Sequence, residues 1–278
     1  MANILIAGCG DIGCILGTQL SEQGHKVFGL RRNIDNIPEG IHPIKADLSA
    51  TLNNLPKQID YVFYMASAGK YNDVAYYQAY VQGVKNLIAA VEDKKIKRLF
   101  FISSTSVFGQ DEGEQVNESS PTCDANFSTK RLLMGEEAVT ESNLNSTIIR
   151  FGGIYGPGRT HLIDLVRDGK AHCMENVWSN RIHSDDCSGL LSHLVAMDEK
   201  TPDSLEALYV GVDNTPTLSC DVYAWLSEQL CVPEADHCEP TENARQMRSN
   251  KRISNEKIRS TGYEFKYPSF KEGYMELI

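Results

Sequence analysis

Residues 3–13, Asn-Ile-Leu-Ile-Ala-Gly-Cys-Gly-Asp-Ile-Gly, decide the fold of this chain. An apolar run that ends in a glycine cluster reads as a buried strand entering a tight turn. Beyond the turn, Ile12, Ile15, Leu16 and Leu20 recur at helical spacing, and Gly24 stands where a C′ glycine would end the helix. Val27 to Leu30 then supplies a second strand-like run. Strand, glycine turn, helix and strand make a βαβ unit.

Gly8, Gly10 and Gly13 have the spacing G-x-G-x-x-G inside that unit. Gly8 permits the tight turn, Gly10 admits a pyrophosphate to the backbone, and Gly13 lets the helix close on the sheet. The helix N-terminus attracts the phosphates, so Gly8, Gly10, Asp11, Ile12 and Gly13 are expected to bind a dinucleotide. At the end of the second strand the chain reads Gly29-Leu30-Arg31-Arg32. No carboxylate stands there for a ribose 2′-hydroxyl, and a guanidinium suits a 2′-phosphate, which favours NADP over NAD.

Strand-like runs continue at 41–46, 60–66, 97–103 and 146–151, with helical patterns between most of them. Such alternation predicts an α/β fold, a Rossmann-type doubly wound parallel sheet. A helix over 73–92 is apolar on two stripes; one should cover the sheet, and the other meets either a partner subunit, making a homodimer, or its own chain. After 151 the pattern loosens through GGIYGPG, with helical stretches at 160–169, 184–198 and 218–231 and a strand-like run at 207–212. The division expected is a nucleotide-binding domain over 1–151, then a remainder over 152–278 that completes the sheet and carries a small substrate lobe.

With 278 residues, 41% of them apolar and 23% charged, the chain can bury a sizeable core. A formal charge of −10 argues against a nucleic-acid partner. No apolar run approaches the ~20 residues that span a bilayer, and residues 1–13 lack the features of a secretory signal. Eight cysteines without a C-x-x-C pair suggest free thiols in the cytoplasm and neither a disulfide framework nor a zinc ribbon. Cys231, His237 and Cys238 lack a fourth ligand at a usual spacing, so no metal is expected.

The chain resembles the extended short-chain dehydrogenases/reductases of the NAD-dependent epimerase/dehydratase family, and more narrowly their atypical members. The segments that carry the resemblance are GCGDIG at 8–13, ADL at 46–48, FFISSTSVFG at 100–109, ESSP at 118–121, RFGGIYGPGR at 150–159, NRIHSDD at 180–186 and ISNEKIRSTGYEF at 253–265. They fall in family order over nearly the whole length. The resemblance implies that Asp47 and Leu48 flank the adenine, that Ala66, Ser67 and Ala68 line the cofactor, and that Gly152, Gly153 and Ile154 lie near the nicotinamide. It puts Ser104 at the family's catalytic serine or threonine, and Arg181 and His183 at the start of the substrate lobe. Together with Arg159 these mark a polar or anionic substrate group.

Where relatives carry Tyr-x-x-x-Lys, this chain reads Asn126-Phe127-Ser128-Thr129-Lys130. Lys130 matches the residue that holds the ribose, but an amide cannot titrate near neutrality, so Asn126 cannot act as acid or base. No tyrosine occurs anywhere in 110–154. Tyr155, Tyr71 and Lys130 itself are the candidate replacements. Two further departures from the family are the shorter glycine turn and Gln82, where many relatives have asparagine. The function expected is an NAD(P)-dependent epimerase/dehydratase- or reductase-like oxidoreductase acting on a sugar-like or small polar molecule. The alternative is an inactive NADP(H)-binding sensor or scaffold.

Overall fold

The computed structural model describes residues 1–238 and 250–278. Its central sheet has seven strands: β1 (Asn3–Ala7), β2 (Lys26–Arg31), β3 (Ile41–Lys45), β4 (Tyr61–Tyr64), β5 (Arg98–Ser104), β6 (Ser146–Phe151) and β7 (Leu208–Gly211). They lie in the order β7-β6-β5-β4-β1-β2-β3, a Rossmann-like arrangement. The chain leaves β1 toward β2 and β3, then crosses back to β4, so the winding reverses between β1 and β4. In open α/β sheets a ligand crevice forms at such a reversal, outside the carboxyl ends of the strands.

Register carries the candidate residues to that edge. Ala7 lies opposite both Leu30 and Tyr64, and Tyr64 opposite Phe101, all in parallel pairs. Gly8, Arg31 and Met65 therefore leave their strands side by side. The strands are apolar because both faces are covered: Leu5, Leu30, Val62, Tyr64 and Phe101 join Leu87, Val91 and Val139 in one core, and the alternating residues Ile4, Ile6, Phe63 and Phe100 are fully buried on the other face.

Helix α1 (Asp11–Glu22) ends at the cap Gln23, and Gly24 follows at φ +88°, as the sequence indicates. The helix expected over 73–92 runs unbroken from Asp73 to Val91, but a π segment lies inside it. It comprises α2 (Asp73–Tyr77), a π turn (Gln78–Gln82) and α3 (Gly83–Val91). The buried Tyr64 hydroxyl donates to the Ala79 carbonyl within the π turn, and Gly83 makes room for it, since a β-carbon there would stand 2.4 Å from Tyr64 Oη. Helix α4 (Phe127–Thr140) comes equally close: a β-carbon on Gly135 would lie 2.4 Å from the Tyr80 carbonyl oxygen.

Two compact units share the chain. The first comprises 1–107, 123–150 and 188–209, and the second 108–122, 151–187 and 210–278. The second has its own core of Tyr155, Ile163, Val166, Val222, Leu226, Phe270 and Tyr274. Short parallel pairs join Gly153–Tyr155 to Arg181–His183 and Lys251–Ile253 to Glu114–Val116. Cys173 and Cys220 form a disulfide in this unit, which corrects the expectation that every cysteine is free. At a sequence separation of 47, no local spacing announces the pair. The side chains of His237 and Cys238 lie outside the described residues. No helix among the described residues is long and apolar enough to cross a membrane.

Candidate functional site

The glycine turn has the geometry that a pyrophosphate needs. Gly8 sits at φ +88°, and a β-carbon on it would stand 2.5 Å from the Ala66 backbone nitrogen, so only glycine fits. Its own amide and that of Cys9 both donate to the Leu30 carbonyl, at 2.9 and 3.0 Å. Gly10 is different: the nearest atom to a β-carbon there is 3.9 Å away, which leaves the backbone open. It is the N-cap of α1 and supplies no side-chain cap, so the positive end of a twelve-residue helix faces outward behind the exposed Asp11. Gly13 packs 3.1 Å from Ile6 Cγ2 by the same measure, and the Ile12 side chain is buried beside it, so this turn offers a ligand its backbone. These features fit a dinucleotide.

Arg31 lies beside the turn and Arg32 near Asp47. Burial and the neighbouring Cys14 push the Cys9 thiol up to about 12, and the Arg31 guanidinium opposes this from beside it. Hydrogen bonds from the Ser49 amide and hydroxyl hold the Asp47 carboxyl below its usual range, and Arg32 adds to the effect. Leu48 is pinned by its carbonyl, which accepts from Asn86 Nδ2 at 2.8 Å, and Gln82 Nε2 holds that same amide at 2.8 Å. Gln82 therefore braces the loop at 47–50.

Ala66, Ser67 and Ala68 follow β4, with Ala66 directly beside Gly8. Burial pushes the Tyr80 hydroxyl up to about 12, against the pull of the Ala68 backbone amide that donates to it. Sequence reading had not singled out Tyr80 as part of the site.

Ser104, at the end of β5, is half-buried and accepts from the Ser106 amide at 3.2 Å, which leaves its own O–H to donate. Asn126 is the N-cap of α4: its side chain accepts from the Ser128 and Thr129 amides in a capping box. It is thereby occupied as a structural cap. Lys130 lies exposed one turn on, close enough to Asp73 to help lower its pKa behind the dominant Arg131 hydrogen bond. Beneath these residues, Ser103 donates to Glu136 at 2.6 Å, and Arg150 closes on the same carboxylate. Sequence reading had missed Glu136, because a buried Glu in an amphipathic helix looks like any surface one.

In the second unit, the Gly152 amide donates to the Gly211 carbonyl and that of Gly153 to Asn180, each at 2.9 Å. Ile154 is half-buried and pairs with Ile182. Tyr155 is 2% exposed, packed on Tyr274 and His183 with ring centroids at 4.3 and 5.3 Å, and burial drives its pKa upward. That corrects its candidacy as a replacement acid. His183 is also 2% exposed, in tilted ring contact with Tyr267 at 4.0 Å between centroids, and burial lowers its pKa. Arg181 is half-buried and reaches the Tyr274 hydroxyl at 3.4 Å, and Arg159 is exposed after the Gly156 turn.

Residues 4–184 match the model of the NAD dependent epimerase/dehydratase family. A 2-alkyl-3-oxoalkanoate reductase of Stenotrophomonas maltophilia is 28% identical over 229 residues, 73% of this chain and 67% of the relative. Member 1 of short-chain dehydrogenase/reductase family 42E from Xenopus laevis is 28% identical over 188 residues, 59% of this chain, and the match spans about half (49%) of that relative. A structure assigned as an NAD-dependent epimerase/dehydratase of Methylobacillus flagellatus superimposes with TM-score 0.80 at 31% identity, covering 99% of this chain and 97% of the other. A human epimerase family protein solved with NADPH gives 0.79 at 18% identity over 99% and 98%, a likeness of fold alone.

Proposed function

The chain belongs to the NAD dependent epimerase/dehydratase family, and on that premise we propose that it is an oxidoreductase that prefers NADP(H) and acts on the carbonyl or secondary alcohol of a small molecule. The open backbone at Gly10 with Arg31 beside the same turn carries this reading. Gly8, Gly10, Gly13 and the first turn of α1 would hold the pyrophosphate, Arg31 and Arg32 the 2′-phosphate, Asp47 and Leu48 the adenine edge, and Ala66 to Ala68 the inner ribose side. The bound nicotinamide supplies hydride transfer. Ser104 donates a hydrogen bond to the substrate oxygen and orients it, since the Ser106 amide uses one of its lone pairs and leaves the O–H to donate.

The atypical feature is the missing family tyrosine, and it favours a second reading. Asn126 is consumed as a helix cap and Tyr155 is sealed in a core. A sensor that binds NADP(H) without turnover would need neither. NADPH titration followed by NADPH-dependent turnover of a ketone panel by the unaltered protein and by Ser104→Ala separates the two. Tight binding with turnover that collapses in Ser104→Ala supports the enzyme; tight binding without turnover supports the sensor. The exposed Val74 and Tyr77 of α2 are proposed as the face of a homodimer, and sedimentation of Val74→Asp as a monomer against a dimeric parent would bear on it.

A further inference from the structure

Four aromatic rings form a continuous chain in the first unit. Tyr71 meets Tyr76 edge-on at 5.6 Å between centroids and Phe127 at 5.0 Å; Tyr76 meets Phe127 at 5.4 Å and Tyr80 at 5.3 Å. They come from three places: the loop after β4, the segment of α2 and the π turn, and the first residue of α4. At one end Tyr80 takes the Ala68 amide, so the chain of rings begins on the loop proposed to line the cofactor. At the other end Phe127 directly follows Asn126, the position at which the family's reacting tyrosine is missing. Tyr71 stands at the outer edge, 61% exposed.

A ring serving only to cover the core would be buried. A subsite for a polyol would offer amides and carboxylates. Of the charged groups at this edge, Asp73 and Arg131 are turned on each other at 2.7 and 3.0 Å, and the exposed Lys130 lies close to Asp73. We infer that this ring chain is the substrate wall, and that the substrate is a ketone or secondary alcohol whose reacting carbon bears an aryl or extended alkyl group. The inference rests on the oxidoreductase reading and moves the substrate away from the sugar-like or small polar molecule expected from the sequence. Phe127 and Tyr71 hold the apolar body by ring contact while Ser104 meets the oxygen.

The test is saturation-transfer NMR on the full chain with NADPH bound, with 4-phenylbutan-2-one as the probe and D-glyceraldehyde as the polar comparator. The phenyl protons are expected to saturate more strongly than the methyl, glyceraldehyde not at all, and affinity for the ketone to fall at least fivefold in Tyr71→Ala. Tyr71 is exposed, so the variant keeps its fold, and unchanged NADPH affinity confirms this. If the NADPH-bound protein gives no transfer to the phenyl protons, or Tyr71→Ala binds the ketone as before, the inference is wrong and the cofactor reading stands. If Tyr71→Ala converts a dimer to monomer without weakening the ketone, the rings belong to a second copy and the inference is again wrong. Failure of NADPH itself to bind sinks the oxidoreductase reading, and this inference with it.

Discussion

Glu136 receives both ends of the Arg150 fork, Nε on Oε1 at 3.0 Å and Nη2 on Oε2 at 2.6 Å, with both residues only 6% exposed. Ser103 adds a third bond to the same carboxylate and ties β5 to α4 and β6. Removal of one partner leaves an uncompensated buried charge, which costs about 3–5 kcal/mol. Glu136→Ala is expected to lower unfolding free energy by that amount in a urea titration. A loss under about 1 kcal/mol would show that the pair behaves as a surface bridge.

The two glycines of the turn should respond differently to the same change. In Gly8→Ala the new methyl meets Ala66 at 2.5 Å and needs φ +88°, so both the melting temperature and NADPH binding should fall. In Gly10→Ala the methyl meets nothing closer than 3.9 Å, so the fold should survive while NADPH affinity drops at least tenfold. Wild-type affinity in Gly10→Ala would remove this turn from the cofactor site.

Cofactor choice rests on two guanidinium groups. A charge-assisted bond to a 2′-phosphate is worth about 1.5–3 kcal/mol, so losing even one such bond in Arg31→Ala with Arg32→Ala should weaken NADPH by at least about 10-fold. NADH, which lacks that phosphate, should bind the variant as it binds the parent. Equal losses for both nucleotides, read by calorimetry, would assign the arginines to the fold.

How legible these parts are depends on what each residue type can be used for. Gly8 was readable because glycine in that spacing encodes a backbone angle and a contact. The sheet was readable because short apolar runs alternate with helical ones. The π turn was hidden because Val81, Val84, Leu87 and Val91 keep a helical stripe through it, while its cause, the Tyr64 hydroxyl, comes from fifteen positions away. Tyr155 misled for a related reason: its side chain has the same identity in a core as in a site, and only its burial and the ring contact with Tyr274 distinguish the two.

Asp213 gives the second unit a pH dependence. Burial pushes its carboxyl up to about 7, against the pull of the Thr215 amide and Arg181, while Asp186 and Glu272 add to the rise. An unfolded aspartate titrates near ~3.9. Between those values the folded chain keeps a proton that the unfolded chain has released, so this group's stabilisation falls as pH rises from about 4 to about 7. Asp213→Asn cannot titrate, and its stability relative to the parent should climb across that window by at most ~1.4 kcal/mol per pH unit. A constant difference between the two proteins, followed by urea unfolding at several pH values, would contradict the assigned carboxyl.

The Cys173–Cys220 disulfide closes a loop of 47 positions, and such cross-links typically stabilise by ~2–4 kcal/mol. Dithiothreitol should therefore lower the melting temperature of the parent and leave that of Cys173→Ser with Cys220→Ser unchanged. An identical shift in both would assign the effect to another thiol.

The π turn at Gln78–Gln82 also sets an angle. One residue of α-helix is about 100° of rotation, so the extra residue held by Tyr64 swings everything before it around the axis of α3. Deleting one residue within 78–82 would restore an uninterrupted α-helix and turn Tyr71, Val74 and Tyr76 by roughly that angle away from Phe127. The direction in which the aromatic edge points is thus set by a single-residue insertion, and it can be re-aimed in evolution without altering any ring or any strand of the sheet.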